Sequence, residues 1–292
     1  MTTGDTPPVV LTIAGSDSGS GAGIQADIKT TAALGVFATT AVTAVTAQNT
    51  TEVREVHHVP VGIVTAQIRA VIDDLTVAAV KTGLLGTAAV VEEVGGLAAS
   101  GHLPQLVVDP VMVASTGRPL VADRCVEAYR RCLLPHALLV TPNLWEAALL
   151  ADVPASGVGD LDAMVEAARR IHRLGPSWVL VKGGHLPGVE PGSTGAAPPT
   201  VADVLFDGRE ITVLDGALVV TRNNHGTGCS LSAAVAAHLA RGADVRTAVT
   251  AAKAFVHDAL LGGATWNLGQ GHGPLDHLGW SSGLPAGSTG RG

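Results

Sequence analysis

The chain has 292 residues, 47% of them hydrophobic and 15% charged, with 36 glycines, 16 prolines and no three-residue repeat. That composition excludes collagen and a disordered polymer. The net charge of −7 argues against a broad nucleic-acid surface. With only 4 Trp, 1 Tyr and 3 Phe, the core must be built from Ala, Val, Leu and Ile, which suits a buried parallel sheet covered by helices.

Met1 to Pro8 has one acid, no base and no apolar run, so no signal peptide is expected there. The longest charge-free stretch, Thr30 to Thr51, carries eight Thr with Gln48 and Asn49 and reads as a buried strand with its loops, not a membrane span. Cys125, Cys132 and Cys229 are odd in number and lack metal-ligand spacing, which fits a reducing cytoplasm without disulfides or structural zinc.

Strands are expected at Val9–Ile13, Phe37–Thr43, Ala78–Lys81, Leu106–Asp109, Leu138–Val140 and Trp178–Val181. Between them run helical patterns near Ile24–Leu34, Val64–Asp74, Thr87–Val94, Asp123–Leu133, Leu144–Leu150 and Asp160–Leu174. Ala202–Phe206 and Glu210–Leu214 flank Asp207-Gly208-Arg209 and read as an antiparallel edge hairpin. Two helices follow, near Ser230–Arg241 and Val245–Leu261. Six βα units and a hairpin fit an open α/β three-layer sandwich better than a closed barrel. One domain is expected over 1–277. Pro187–Thr200 reads as a mobile surface loop, and 278–292 as a disordered tail.

In open α/β sheets, ligands collect at the carboxyl ends of the strands. Ala14 to Gly23 supplies glycines there, but no Gly-Lys pair exists in the chain, so there is no Walker loop. Asn223-Asn224-His225-Gly226-Thr227-Gly228-Cys229-Ser230 precedes an Ala-rich helix. Amides freed by Gly226 and Gly228, together with the helix dipole, favour an anion or the charge that develops in phosphoryl transfer. Cys229, placed in the first turn, is expected to have a lowered thiol pKa; as a plain buried packing residue it would have none. Asp109, Asn143, Glu146 and Lys182 lie at three further strand ends. Two carboxylates, an amide and a lysine are what a Mg-nucleotide needs. Singly, each also has a bland reading, as an Asx-turn residue, a helix-start residue or a solvated cation.

His57-His58 lies in a short polar strand without metal-spaced partners. Gly279-Trp280-Ser281-Ser282-Gly283 matches a nucleophile elbow but follows no strand. Cys125 and Cys132 share a helix face and read as core.

Taken in order, several runs resemble the hydroxymethylpyrimidine/phosphomethylpyrimidine kinases of thiamine biosynthesis, members of the ribokinase-like superfamily. They are Thr12-Ile13-Ala14-Gly15-Ser16-Asp17, Ala22 to Thr30, Thr46-Ala47-Gln48-Asn49-Thr50, Asp109-Pro110-Val111-Met112, Thr141-Pro142-Asn143 with Glu146-Ala147, Lys182-Gly183-Gly184-His185, and His225-Gly226-Thr227-Gly228-Cys229. The resemblance implies an αβα sandwich. It also implies ATP-dependent phosphorylation of 4-amino-5-hydroxymethyl-2-methylpyrimidine, and then of its monophosphate to the diphosphate. By the same carry-over Gly15, Asp27, Gln48, Leu84 and Val111 border the pyrimidine. Gly226, Thr227, Gly228 and Cys229 form the anion hole, with Cys229 where most of the superfamily places an aspartate base. Asn143, Lys182 and Thr227 serve the nucleotide, and Asp109 and Glu146 serve Mg2+. Gln48 offers both a donor and an acceptor to an aminopyrimidine edge. Leu84 stands where methionine is usual, Asn224 where threonine is usual, and Ser18-Gly19-Ser20-Gly21 where Ser-Ser-Gly-Gly is usual. A pyridoxal kinase on the same scaffold and a non-catalytic pyrimidine- or nucleotide-binding regulator are the alternatives. A cytoplasmic homodimer, with no nucleic-acid or membrane partner, is expected.

Overall fold

The structure is a computed structural model that describes residues 6–112, 123–154, 157–184 and 200–282. His185, the expected loop over 187–199 and the tail from 283 onward lie outside the described residues.

Alternation of β-branched and small apolar residues builds the central sheet. Its strands are β1 (Val9–Asp17), β2 (Phe37–Gln48), β3 (Val53–His58), β4 (Val77–Thr82), β5 (Val107–Val108), β6 (Leu139–Val140), β7 (Trp178–Val181), β8 (Thr200–Phe206) and β9 (Ile211–Ala217). They form one sheet in the order β3-β2-β1-β4-β5-β6-β7-β8-β9. The six strands from β2 to β7 in that order pair in parallel, whereas β3 pairs antiparallel with β2, β8 with β7, and β9 with β8. The β8–β9 hairpin stands at the edge as the Asp207-Gly208-Arg209 turn predicts. The opposite edge carries a second antiparallel strand, β3, which contains His57 and His58.

Successive residues of a strand face opposite sides, so each central strand feeds two cores. Leu11, Val80, Val108 and Val140 join one apolar cluster, while Val10, Ala79, Val107 and Leu139 join the other. The first cluster packs against α2 (Val61–Ile72), α3 (Ala88–Ala99), α4 (Asp123–Ala128), α5 (Leu144–Ala151) and α6 (Leu161–His172). The second packs against α7 (Thr227–Ala240) and α8 (Val245–Gly263), with α1 (Gly23–Ala33) lying beside α7. The result is the expected three-layer αβα sandwich. The alanines of α7 are nearly all buried, and their small side chains let the helix lie close to the strands.

Several boundaries move. β1 runs on to Asp17 and β2 to Gln48, so both deliver side chains past the expected strand ends. The helix expected over Asp123–Leu133 is α-helical only to Ala128 and continues as one π-helical turn, Tyr129–Leu133. Residues 278–282, expected as the start of a tail, are tied to the body. Trp280–Ser282 forms a 3-10 turn, Trp280 stacks on Trp266, and Asp276 accepts the Trp280 and Ser281 amides at 3.0 and 2.8 Å. Ser281 Oγ donates to the Gly262 carbonyl at 2.8 Å, which is a structural task and not that of a nucleophile. Among the described residues no helix is long and apolar enough to cross a membrane.

Candidate active site

The strand order doubles back beside β1: the chain passes from β1 to β2 on one flank and returns to β4 on the other. A crevice opens at such a point, at the carboxyl ends of the strands. Here a cavity of about 220 Å³ occupies it, walled by the ends of β1, β2, β4 and β7, the β5 and β6 loops and the start of α7. Gly15, Gln48, Leu84 and Val111 line it, as do Asp109, Asn143, Glu146 and Lys182, and Gly226 through Cys229. Only one expected site residue is missing from its wall. Asp27 is fully buried beneath the floor, with the Lys81 ammonium on its carboxylate, and does not line the cavity.

The anion-hole loop depends on glycine. Gly226 caps α7 with φ +90°, and a Cβ there would lie 1.8 Å from the Gly21 carbonyl oxygen. No side chain fits that backbone or that space. Gly228 and Cys229 follow in the first helical turn, where amides lack intrahelical acceptors and the helix dipole is positive. A Cβ on Gly228 would stand 3.1 Å from Lys182 Nζ, so the bare glycine keeps the approach to that cation open.

Lys182 Nζ donates to Asp109 Oδ1 at 2.9 Å. Thr141 and Ser232 hydroxyls stand 3.4 Å from the two Asp109 oxygens, and Asp109 is 2% exposed. Asn143 and Glu146 face each other as a capping box on α5: Asn143 Oδ1 accepts the Glu146 amide at 2.9 Å, and Glu146 Oε2 accepts the Asn143 amide at 2.8 Å. The bland helix-start reading and the cavity reading therefore both hold. Burial, with the Asp109 charge beside it, pushes the Glu146 carboxyl up to about 7, against the pull of Lys182. Two buried carboxylates beside one ammonium form an oxygen-rich site short of positive charge.

Cys229 is a free thiol in this cavity. Its expected lowered pKa is overturned: burial pushes it up to about 11, outweighing the nearby Lys81 charge and the Gly23 amide.

Three residues to which the sequence pattern assigns no role are brought to the site by the fold. Lys81 is fully buried, with Nζ 2.8 and 2.9 Å from the two Asp27 oxygens, and Thr12 donates to the same carboxylate. Asp17 accepts the amides of Gly19, Gly21 and Ala22 at 2.8, 3.1 and 2.8 Å and meets His225 Nε2 at 2.8 Å. These contacts pull the Asp17 carboxyl below its usual range, against burial, which raises it. Asp17 and His225 both sit in the runs that carry the resemblance, but they are 208 positions apart and nothing local pairs them.

A profile of the phosphomethylpyrimidine kinase family matches residues 17–276. The chain belongs to this family. It is 47% identical over 271 residues to a hydroxymethylpyrimidine/phosphomethylpyrimidine kinase of Rhizobium meliloti, covering 92% of this chain and 97% of that protein. Among solved structures it is similar to an ADP complex of Bacillus subtilis pyridoxal kinase, with a TM-score of 0.82 and 35% identity over 94% of this chain and 99% of that one. It is also similar to a phosphomethylpyrimidine kinase from Clostridium difficile, with a TM-score of 0.73 and 34% identity over 87% and 99% of the two chains. The family's αβα scaffold is the one observed here, and the chain is a kinase.

Proposed function

We propose that this kinase transfers the γ-phosphoryl group of ATP to the hydroxymethyl oxygen of 4-amino-5-hydroxymethyl-2-methylpyrimidine, and in a second turnover to the phosphate of the monophosphate, in the biosynthesis of thiamine diphosphate. The observation that carries this reading is a single cavity. It joins the Gln48 amide and the Gly15, Leu84 and Val111 walls to the Gly226–Cys229 amides and the Lys182–Asp109–Glu146 cluster. An acceptor ring held at the first end presents its hydroxymethyl group to the second.

The substrate hydroxyl attacks the γ-phosphorus as the bond to the ADP oxygen breaks, and the hydroxyl proton passes to water. In a loose phosphoryl transition state the charge sits on the equatorial oxygens, so positioning and electrostatics matter more than early deprotonation. The first-turn amides of α7 and the Lys182 ammonium face that charge. Cys229, protonated at neutral pH, acts there as an S–H donor and not as a ready base.

Among the described residues no three His, Cys, Asp or Glu stand together as a metal cage. Asp109 and Glu146 nevertheless fit Mg2+, which keeps several waters and takes further oxygens from phosphate. When bound, Mg2+ would neutralise charge on the nucleotide phosphates. A cytoplasmic homodimer belongs to this reading, and sedimentation of the purified chain tests the dimer.

Similarity to pyridoxal kinases favours a second reading, pyridoxal phosphorylation, since pyridoxal also bears a ring hydroxymethyl group. Gln48 weighs toward the aminopyrimidine, whose amino group and ring nitrogen match an amide's acceptor and donor. ATP consumption measured with each acceptor tests the choice. The pyrimidine is expected to give the larger specificity constant, and a larger one for pyridoxal would reverse the assignment. Absence of pyrimidine-dependent turnover beside turnover of pyridoxal would likewise favour the second reading.

A further inference from the structure

The Gln48 backbone is clamped, its N–H donating to Ser18 Oγ at 2.8 Å and its carbonyl accepting from the same hydroxyl at 2.6 Å. Its side-chain amide is set by two other contacts. Its Nε2 is placed 3.0 Å from His225 Nε2 and its Oε1 3.4 Å from Thr46 Oγ1. The two ends of an amide have nearly the same shape, so hydrogen-bond logic decides which is oxygen and which is nitrogen.

That logic has one consistent solution. His225 Nε2 is 2.8 Å from Asp17 Oδ2, and an ionised carboxylate only accepts. His225 Nε2 therefore carries one hydrogen, which Asp17 Oδ2 and a Gln48 oxygen can share, and it has no lone pair for a second donor. At the other end, the single hydrogen of Thr46 Oγ1 goes to the nearer Ser16 carbonyl, at 3.0 Å against 3.4 Å for Gln48, which leaves its lone pairs to accept from Gln48. Both contacts are satisfied when the amide is turned end for end, with the Gln48 oxygen facing His225 and the Gln48 NH2 facing Thr46.

We infer that Asp17 and His225 are a positioning pair that fixes the sense of the Gln48 amide, and through it which way round an acceptor ring is seated. This rests on the proposed pyrimidine substrate. Each end of the amide keeps capacity for a ligand: one lone pair on the His225 side and one N–H on the Thr46 side. In the pyrimidine the amino carbon lies between a ring nitrogen and the carbon bearing the hydroxymethyl group. A ring paired with Gln48 in this sense puts its amino group on the His225 side and its ring nitrogen on the Thr46 side. The hydroxymethyl group then projects past His225 toward Gly226–Cys229. The reversed amide would turn that group away from the anion hole. The pair is well placed to hold one state, since Asp17 is 4% exposed and His225 7% exposed.

A Gln48 amide held in this sense makes the enzyme selective for a ring with a donor beside the hydroxymethyl group. The test compares the 4-amino pyrimidine with its 4-oxo analogue, whose ring edge has the opposite polarity. The wild-type ratio of specificity constants is expected to be at least about a thousandfold. His225→Phe removes the N–H, frees the amide to turn, and is expected to shrink the ratio to roughly tenfold. His225→Gln places an NH2 that can donate to both Asp17 and Gln48, and keeps the wild-type ratio whatever its turnover. A purely structural role would lower both constants together in His225→Phe and leave the ratio unchanged, which overturns the inference. A second readout needs no substrate. Nitrogen-15 spectra of the imidazole, assigned through the His225→Gln variant, should show a hydrogen bonded to Nε2, and a bare Nε2 would overturn the pair. Lack of turnover on either pyrimidine would refute the proposed substrate, while the imidazole spectrum still decides the pairing.

Discussion

Lys182 and Asp109 form a 2.9 Å ion pair between the ends of β7 and β5, with side chains 14% and 2% exposed. The exposure differs because Asp109 is backed by Thr141 and Ser232 while Lys182 opens to the cavity. The lysine can therefore turn its charge toward a phosphate without leaving its carboxylate. Lys182→Met is expected to lower kcat by about 10²–10³, the usual cost of losing one preorganised charge donor. Steady-state kinetics with varied ATP check this, and a change confined to KM would assign Lys182 to binding alone.

Glu146 gives a pH signature to the protein without ligands. Its folded pKa, about 7, lies above the unfolded value near 4.5. The protonated form is thus favoured in the fold. This contribution is fully present below about pH 4.5 and is lost as pH rises toward 7, at about 1.4 kcal/mol for each step of one in pH. Glu146→Gln keeps the capping-box acceptor but cannot ionise. Urea denaturation at several pH values should show a flatter stability profile for Glu146→Gln between pH 4.5 and 7 than for the parent chain.

Cys229 should behave as a hydrated thiol does not. With its pKa pushed up to about 11, alkylation at pH 7 is expected to be slow and to accelerate as pH approaches that value. Peptide-resolved mass spectrometry separates it from Cys125 and Cys132. Cys229→Ala is expected to lower turnover sharply while ATP binding persists. Near-wild-type turnover in that variant would remove the thiol from the mechanism and leave the task to the backbone amides.

Lys81 and Asp27 are both fully buried and paired at 2.8 Å. Removing one partner strands a charge in the interior, so Lys81→Met is expected to cost about 3–5 kcal/mol of stability. Lys81→Met with Asp27→Leu should recover most of that loss, because no charge is left uncompensated. A denaturation-based double-mutant cycle measures the coupling, and additive losses would contradict it.

Much of this site was legible in the sequence because its parts are local. Glycines before α7, a carboxylate at the end of β5 and a lysine at the end of β7 each announce themselves within a few residues, and the α/β rhythm places them on one edge. What escaped was long-range or environmental. Nothing near Asp17 says that it meets His225 across the sheet. Nothing near Asp27 says that Lys81 covers it. The two readings of the Cys229 thiol stay open in the sequence because a helix N-terminus is visible there, whereas the burial that raises its pKa is not. The exchange from α to π geometry at Tyr129 likewise left no periodic signal, since one turn is too short to reset the pattern.

Transfer of two phosphoryl groups to one pyrimidine in one cavity is the step on which the proposed function stands. Mass detection of the products formed from 4-amino-5-hydroxymethyl-2-methylpyrimidine with ATP and Mg2+ tests it most directly. The monophosphate is expected first and the diphosphate after it, both formed about 10²–10³ more slowly in Lys182→Met. Unchanged pyrimidine, under conditions where pyridoxal is phosphorylated, would contradict it.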